Sequence, residues 1–215
     1  KIMKSKEKHG HAWYRLLAGF YSSYESVPTG GNNTIKQHKG RILQRLKNYT
    51  HHIAFKEIEA EQKPVCKYLT KALKDGMEEW YLPILPAIGH MRKNLKWEYG
   101  YTHLPGNLGE KFAFAEVLGP NGPFVCEDLT LGLIILGPST EYPKHKHPGI
   151  EESYICLSGH VALDDTGVFS TNSIMYMPPG KVHKLSTEMD VPCLLAYAWV
   201  ADPKTLKNAK LIWTT

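Results

Sequence analysis

The sequence predicts an α+β chain that is mainly β, with an N-terminal helical region over residues 1–96 packed on an all-β domain over residues 97–215. Apolar residues recur at helical spacing before Trp97 and at strand spacing after it. Gly and Pro punctuate the second half at near-regular intervals, as they do between short strands. The join from Asn94 to Trp97 has neither the length nor the Gly/Ser richness of a free linker, so the two parts are expected to pack as one unit.

The first helix is read from Trp13, Tyr14, Leu16, Leu17, Phe20, Tyr21 and Tyr24, which line one face before Pro28-Thr29-Gly30-Gly31-Asn32-Asn33 breaks the pattern. A second runs from Thr34, read as its cap, to about Glu61, with Ile35, Ile42, Leu43, Leu46, Tyr49 and Ile53 on one side. A third follows Pro64 and carries Val65, Leu69, Ala72, Leu73, Met77 and Trp80, ending before Pro83 and Pro86. Beyond Trp97, β-rich runs at 111–118, 129–136, 153–157, 161–163, 173–177 and 194–200 imply a sandwich or small barrel.

At 215 residues and 42% hydrophobic, the chain can bury a substantial core. No apolar run approaches the roughly 18 residues of a membrane helix. The net charge of +5 comes mainly from Lys1, Lys4, Lys6, Lys8, Lys36, Lys39, Arg41, Arg45 and Lys47, without a dense basic run interleaved with aromatics. It reads as a solvated face, so neither nucleic acid nor membrane is expected as a partner. Cys66, Cys126, Cys156 and Cys193 form no CxxC pair and read as buried free thiols rather than a zinc site or disulfide scaffold. The opening residues show no apolar targeting stretch, which points to the cytoplasm, or to the periplasm if a targeting peptide has been removed.

The chemistry concentrates in Pro143-Lys144-His145-Lys146-His147-Pro148-Gly149-Ile150-Glu151-Glu152-Ser153-Tyr154-Ile155-Cys156-Leu157-Ser158-Gly159, joined later by Pro178-Pro179-Gly180-Lys181-Val182-His183. In a strand, residues i and i+2 point the same way, so His145 and His147 can present two imidazoles to one point. A carboxylate past the Pro148-Gly149 turn and a third His on a returning strand would complete a divalent-metal site with coordination positions left open. Glu151 and Glu152 both satisfy that spacing.

HxH, four residues, Glu, six residues, Gly, then PxGxxH about 20 residues on resembles the two motifs of the cupin superfamily, a double-stranded β-helix or jelly-roll barrel. The resemblance implies His145, His147, Glu152 and His183 as ligands of one divalent transition metal ion, with Fe, Zn, Mn, Ni or Co all admissible, and Gly159 and Gly180 as turn glycines. Glu152 is preferred because it keeps the six-residue distance to Gly159, with Glu151 as the alternative. Tyr142 ahead of HxHP, Glu151-Glu152-Ser153-Tyr154, the Gly119-Pro120-Asn121-Gly122-Pro123 loop and the helical half in front are similar to the cupin-type dimethylsulfoniopropionate (DMSP) lyases of bacteria.

That similarity implies a small-molecule substrate, DMSP, cleaved to dimethyl sulfide and acrylate by β-elimination. It assigns Tyr154 as the base and Tyr142 as an assisting or substrate-binding residue. Free tyrosine has a pKa of about 10, so a base of this kind needs nearby cationic charge. Tyr176, Tyr197 and Trp199 are the candidate aromatic faces for the sulfonium cation, with Trp97 and Tyr101 behind them. The competing readings are another metal-dependent cupin enzyme, such as an Fe(II) dioxygenase, and a noncatalytic ligand-sensing cupin. The helical half is a candidate homo-oligomer interface in any of these cases.

Overall fold

The computed structural model describes residues 2–49, 53–100, 104–164, 166–209 and 211–214, with side chains from Gly10 onward. Helices α1 (Ile2–Ser26), α2 (Asn33–Tyr49), α3 (Leu69–Glu79) and α4 (Ile84–Met91) come first, α3 being entered through a 3₁₀ turn at Pro64–Tyr68. The short α5 (Leu108–Lys111) leads into β1 (Phe112–Gly119), β2 (Phe124–Val125), β3 (Leu129–Leu136), β4 (Glu141–Lys146) and β5 (Glu151–Ser158). Then come β6 (His160–Leu163), β7 (Gly167–Ser170), β8 (Ile174–Met177), β9 (His183–Thr187), β10 (Cys193–Val200), α6 (Pro203–Lys207) and β11 (Ile212–Trp213).

The strands form a six-stranded sheet in the order β2-β1-β3-β10-β5-β8 and a five-stranded sheet in the order β11-β4-β9-β6-β7. Their inner faces meet in one buried cluster, with Phe112, Ile134, Tyr154 and Leu195 from the first sheet and Tyr142, Val161 and Leu185 from the second. This is the cupin barrel that the motifs imply, preceded by helices. The six-stranded sheet is covered on both sides, which explains why all of Leu129–Leu136 is buried. Leu131, Leu133 and Ile135 face outward into one buried cluster with Leu16, Phe20, Leu73 and Ile88 of the helices, while Ile134 and Leu136 face the barrel.

Several elements differ from the sequence reading. Asn32, not Thr34, caps α2, its Oδ1 accepting from the Ile35 N–H at 3.1 Å. The α2 helix is described as far as Tyr49, short of the Glu61 expected; residues 50–52 lie outside the described residues, and over residues 53–63 the chain runs without helix toward the sheet edge, where Phe55 bridges Phe124. Pro83 and Pro86 do not break structure: they sit at the cap and first turn of α4, where a missing N–H removes no helical hydrogen bond. Met77 and Trp80, read as part of a packing face, are exposed, and Cys66 is only half-buried, unlike the other three cysteines. Strands β2, β7 and β11 have no signature in the sequence because each is short and lies at a sheet edge.

Two glycines show how backbone freedom is used. Gly159 joins β5 to β6 at φ +75°, and a Cβ there would lie 2.4 Å from the Pro192 carbonyl oxygen. Gly40 sits in α2 with nothing within 4 Å of the Cβ position. Gly159→Ala should therefore cost about 1–3 kcal/mol in denaturant unfolding, and Gly40→Ala should add up to about 1 kcal/mol; equal stability of the two variants would contradict both assignments.

Candidate metal centre and active site

One end of the barrel gathers His145, His147, Glu152 and His183. A register shift in β4 between Tyr142 and His145 lets both turn inward, and the β4–β9 register sets His145 opposite His183, with ring centroids 4.2 Å apart. His147 lies two residues on, just past the end of β4, and Glu152 reaches in from β5 of the other sheet. Taking one donor atom from each, the four lie within 4.8 Å of one another, and no residue of the set is more than 4% exposed. His183 Nε2 is 3.1 Å from Glu152 Oε2, and His147 Nε2 is 3.6 Å from Glu152 Oε1.

Two of the rings are fixed from behind. His145 Nδ1 lies 2.8 Å from the Pro143 carbonyl and His183 Nδ1 lies 3.1 Å from that of Lys181. A carbonyl can only accept, so both Nδ1 atoms carry a proton; the His145 Nε2 lone pair then points into the cluster, whereas His183 Nε2–H donates to the Glu152 carboxylate. His145 Nε2 is buried without a hydrogen-bond partner. Three imidazoles, one carboxylate and an orphaned inward lone pair fit a divalent transition metal ion.

The charges agree with that fit. Burial works to raise the Glu152 carboxyl, but the charge of His147, the hydrogen bond from His183 and the charges of His183 and His145 outweigh it and hold it far below the usual carboxylate range. Burial, joined by the neighbouring His183, pushes His145 down to about 3. At neutral pH the site therefore presents a carboxylate and a neutral His145; burial works to lower His183, but Glu152 outweighs it and holds that ring above the usual imidazole range, so that metal binding would displace its Nε2 proton.

The structure separates the two glutamates. Successive strand residues face opposite sides, so Glu152 enters the barrel while Glu151 faces α2. There Glu151 Oε2 pairs with Arg41, lies 3.0 Å from His38 Nδ1 and accepts from the Tyr176 hydroxyl at 3.3 Å. Tyr176 thereby departs from its expected place. It sits on β8 between Met175 and Met177, which face the barrel interior, so its own ring turns outward and packs on His38 at 4.9 Å. Trp97 is buried between the helices and the sheet, away from the cavity, and Tyr101 lies outside the described residues.

The remaining expected residues border the site. The Tyr154 hydroxyl donates to Glu152 Oε1 at 2.6 Å and lies 3.4 Å from His183 Nε2. Trp199 Nε1–H donates to the same Oε1 at 2.7 Å, and its ring lies 4.6 Å from that of His147. These contacts follow from register, because β10 sets Trp199 opposite Glu152 and Tyr197 opposite Tyr154. Tyr142 stacks on Phe112 at 4.5 Å and presents its edge to His145. His147, Glu152, Tyr154, Tyr142, Tyr197 and Trp199 all line one cavity.

Sequence reasoning misses the other wall, formed by Phe112, Phe114 and Glu116 of β1. The signal is present in the alternation Phe-Ala-Phe-Ala-Glu, which puts all three on one face. It also misses His38, whose place at i, i+4, i+8 with Ile42 and Leu46 marks the buried stripe of α2.

Comparison with known proteins bears on what this site belongs to. The family model for dimethylsulfoniopropionate lyases matches residues 36–195. A Cereibacter sphaeroides protein named as a candidate dimethylsulfoniopropionate lyase, DddL, is 36% identical over 197 residues, covering 91% of this chain and 85% of its own. The DMSP lyase DddQ of Ruegeria pomeroyi DSS-3 superposes with a TM-score of 0.72 at 18% identity, over 94% of this chain and 96% of that one. A chain from the crystal structures of the DMSP lyases RdDddP and RnDddQII gives 0.71 at 16% identity, over 95% and 98%. At those identities the two solved structures speak for the fold, helical region included. The family match begins within α2 and ends within β10, taking in all four clustered residues, and with the DddL identity it establishes that this chain belongs to the dimethylsulfoniopropionate lyase family.

Proposed function

We propose that this protein is a metal-dependent carbon–sulfur lyase that cleaves DMSP to dimethyl sulfide and acrylate by β-elimination, with Tyr154 as the base. The observation that carries this reading is the Tyr154 hydroxyl, 2.6 Å from Glu152 Oε1 in a cavity lined by His147 and Glu152 of the His145/His147/Glu152/His183 cluster. A divalent ion on those four donors, with Fe, Zn, Mn, Ni or Co all compatible, supplies Lewis acidity for the substrate carboxylate and positive charge beside the tyrosine.

The chain's own residues do the rest. Tyr154, as phenolate, takes the proton α to the carboxylate. The electron pair of that C–H bond becomes the carbon–carbon double bond, the C–S bond breaks, and its electrons leave on sulfur as neutral dimethyl sulfide. Trp199 fixes the carboxylate of Glu152 through its indole N–H, and Tyr142 forms the wall beside His145 that orients the substrate. Tyr197 and Trp199, with ring centroids 5.6 Å apart, offer aromatic faces to the sulfonium group. Tyr176 has no part in this, since it holds Glu151 on the outer face.

Tyr154→Phe should lower dimethyl sulfide release from DMSP by about 10²–10⁴-fold while metal content measured by mass spectrometry stays at the wild-type level; full activity in that variant would remove Tyr154 from the base role. His183→Ala should lose bound metal and turnover together. Trp199→Phe, which keeps the ring and deletes the N–H, should weaken metal affinity by about 10–100-fold in competition with a chelating dye; unchanged affinity would show that the indole does not hold Glu152 for the metal.

A further inference from the structure

We propose that Glu116 is the anion that recognises the sulfonium cation, a specificity-determining residue on the wall of the cavity formed by β1. The inference rests on the DMSP reading above and extends it to the end of the substrate remote from the metal donors.

The placement comes from register. Glu116 pairs with Gly132, Gly132 with Tyr197, and Tyr197 with Tyr154, so the four form one row across the inner face of β1, β3, β10 and β5. The outer strands of that row are three spacings apart, about 14 Å between backbones, and the side chains of Glu116 and Tyr154 reach inward from its two ends. Between them Gly132 contributes no side chain, and a Cβ there would lie 2.4 Å from Tyr197 Cε1. The missing side chain lets the Tyr197 ring lean over β3 toward Glu116, with Phe114 edge-on at 6.4 Å.

The chemistry at this wall is selective. A sulfonium ion donates no hydrogen bond, so it is held by negative charge and aromatic faces, and the wall offers one carboxylate among Phe114, Tyr197 and Trp199. Among the described residues no lysine or arginine lines the cavity, and Glu116 and Glu152 are its two acids. The carboxylate is pre-placed: its Oε1 accepts from the Asn121 N–H at 2.8 Å, and the turn packs so closely that a Cβ on Gly119 would lie 2.3 Å from that oxygen. Burial, opposed by the Asn121 and Gly122 amides and aided by the charge of Glu98, pushes the Glu116 carboxyl up to about 7. Among the described lining residues none supplies the countercharge that would ionise it fully, and the substrate carries one.

The kinetic consequence has a definite sign. The sulfur loses its charge as the C–S bond breaks, so an anion beside it stabilises bound substrate more than the transition state. Glu116 therefore serves binding and selectivity rather than rate.

Glu116→Gln keeps an oxygen to accept the Asn121 N–H and removes the charge, which separates recognition from loop structure. Three probes are compared on wild type and variant: DMSP, the cationic β-(trimethylammonio)propionate and the uncharged β-(methylthio)propionate, the last two by inhibition and by calorimetric binding. KM for DMSP and both constants for the ammonium analogue should rise about tenfold, those for the thioether should stay within about twofold, and kcat should hold or rise. Equal weakening of all three probes would assign Glu116 to the loop alone and overturn the inference, as would no change in any. If the wild type cleaves DMSP and the variant is indistinguishable from it, only this inference fails. If the wild type neither cleaves DMSP nor prefers the cationic analogue over the thioether in direct binding, the lyase reading fails and this inference falls with it.

Discussion

The strict two-residue alternation of β5 is the constraint on which the site depends. Glu152 and Tyr154 point into the barrel; Glu151 and Ser153, one residue out of phase, point at the helices. A slip of one residue would exchange the two sets and place a hydroxyl and a solvent-side carboxylate where the cluster needs Glu152. Both outward residues are held. His38 of α2 lies between them, its Nδ1 3.0 Å from Glu151 and its Nε2 2.9 Å from Ser153, while the Tyr24 hydroxyl of α1 meets Ser153 Oγ at 3.2 Å. The helices thus do more than cover apolar surface: they grip the strand that presents the carboxylate and the tyrosine.

Gathering three imidazoles and a carboxylate in a dry barrel is costly unless the charges compensate one another. Here the arrangement keeps Glu152 ionised by surrounding it with His147, His183 and His145, and backbone carbonyls on the far side of the His145 and His183 rings fix their orientation. Donors arrive from both sheets, three from β4, its extension and β9, and one from β5. The site therefore exists only when the barrel is closed, and its precision comes from sheet pairing rather than from mobile loops. The aromatic and acidic wall opposite is set by the same sheet through β1 and β10.

What could be read in the sequence follows the range of the interactions involved. The HxH pair, the carboxylate after the turn and the returning His183 are legible because strand periodicity and turn glycines act locally. The six-residue distance to Gly159 favours Glu152 and leaves Glu151 as the alternative; the strand face separates them, and Arg41, His38 and Tyr176 occupy Glu151. Tyr176 was misplaced for the same reason, since a strand run without an assigned face leaves each aromatic free to point either way. Phe112, Phe114 and Glu116 went unnoticed because their nearness to Tyr154 arises through β3 and β10, pairings between segments far apart in the chain. The Asn32 cap depends on backbone geometry that apolar periodicity does not report.

The central claim is that these residues form a metal-dependent, oxygen-independent DMSP lyase. Its most direct test is headspace detection of dimethyl sulfide from wild-type protein and DMSP, with the protein metal-loaded, chelated, and chelated then reloaded, each in air and under nitrogen. The account predicts stoichiometric dimethyl sulfide and acrylate from the loaded and reloaded protein in both atmospheres, and none from the chelated protein. Release that survives complete chelation, or that requires oxygen, would contradict it.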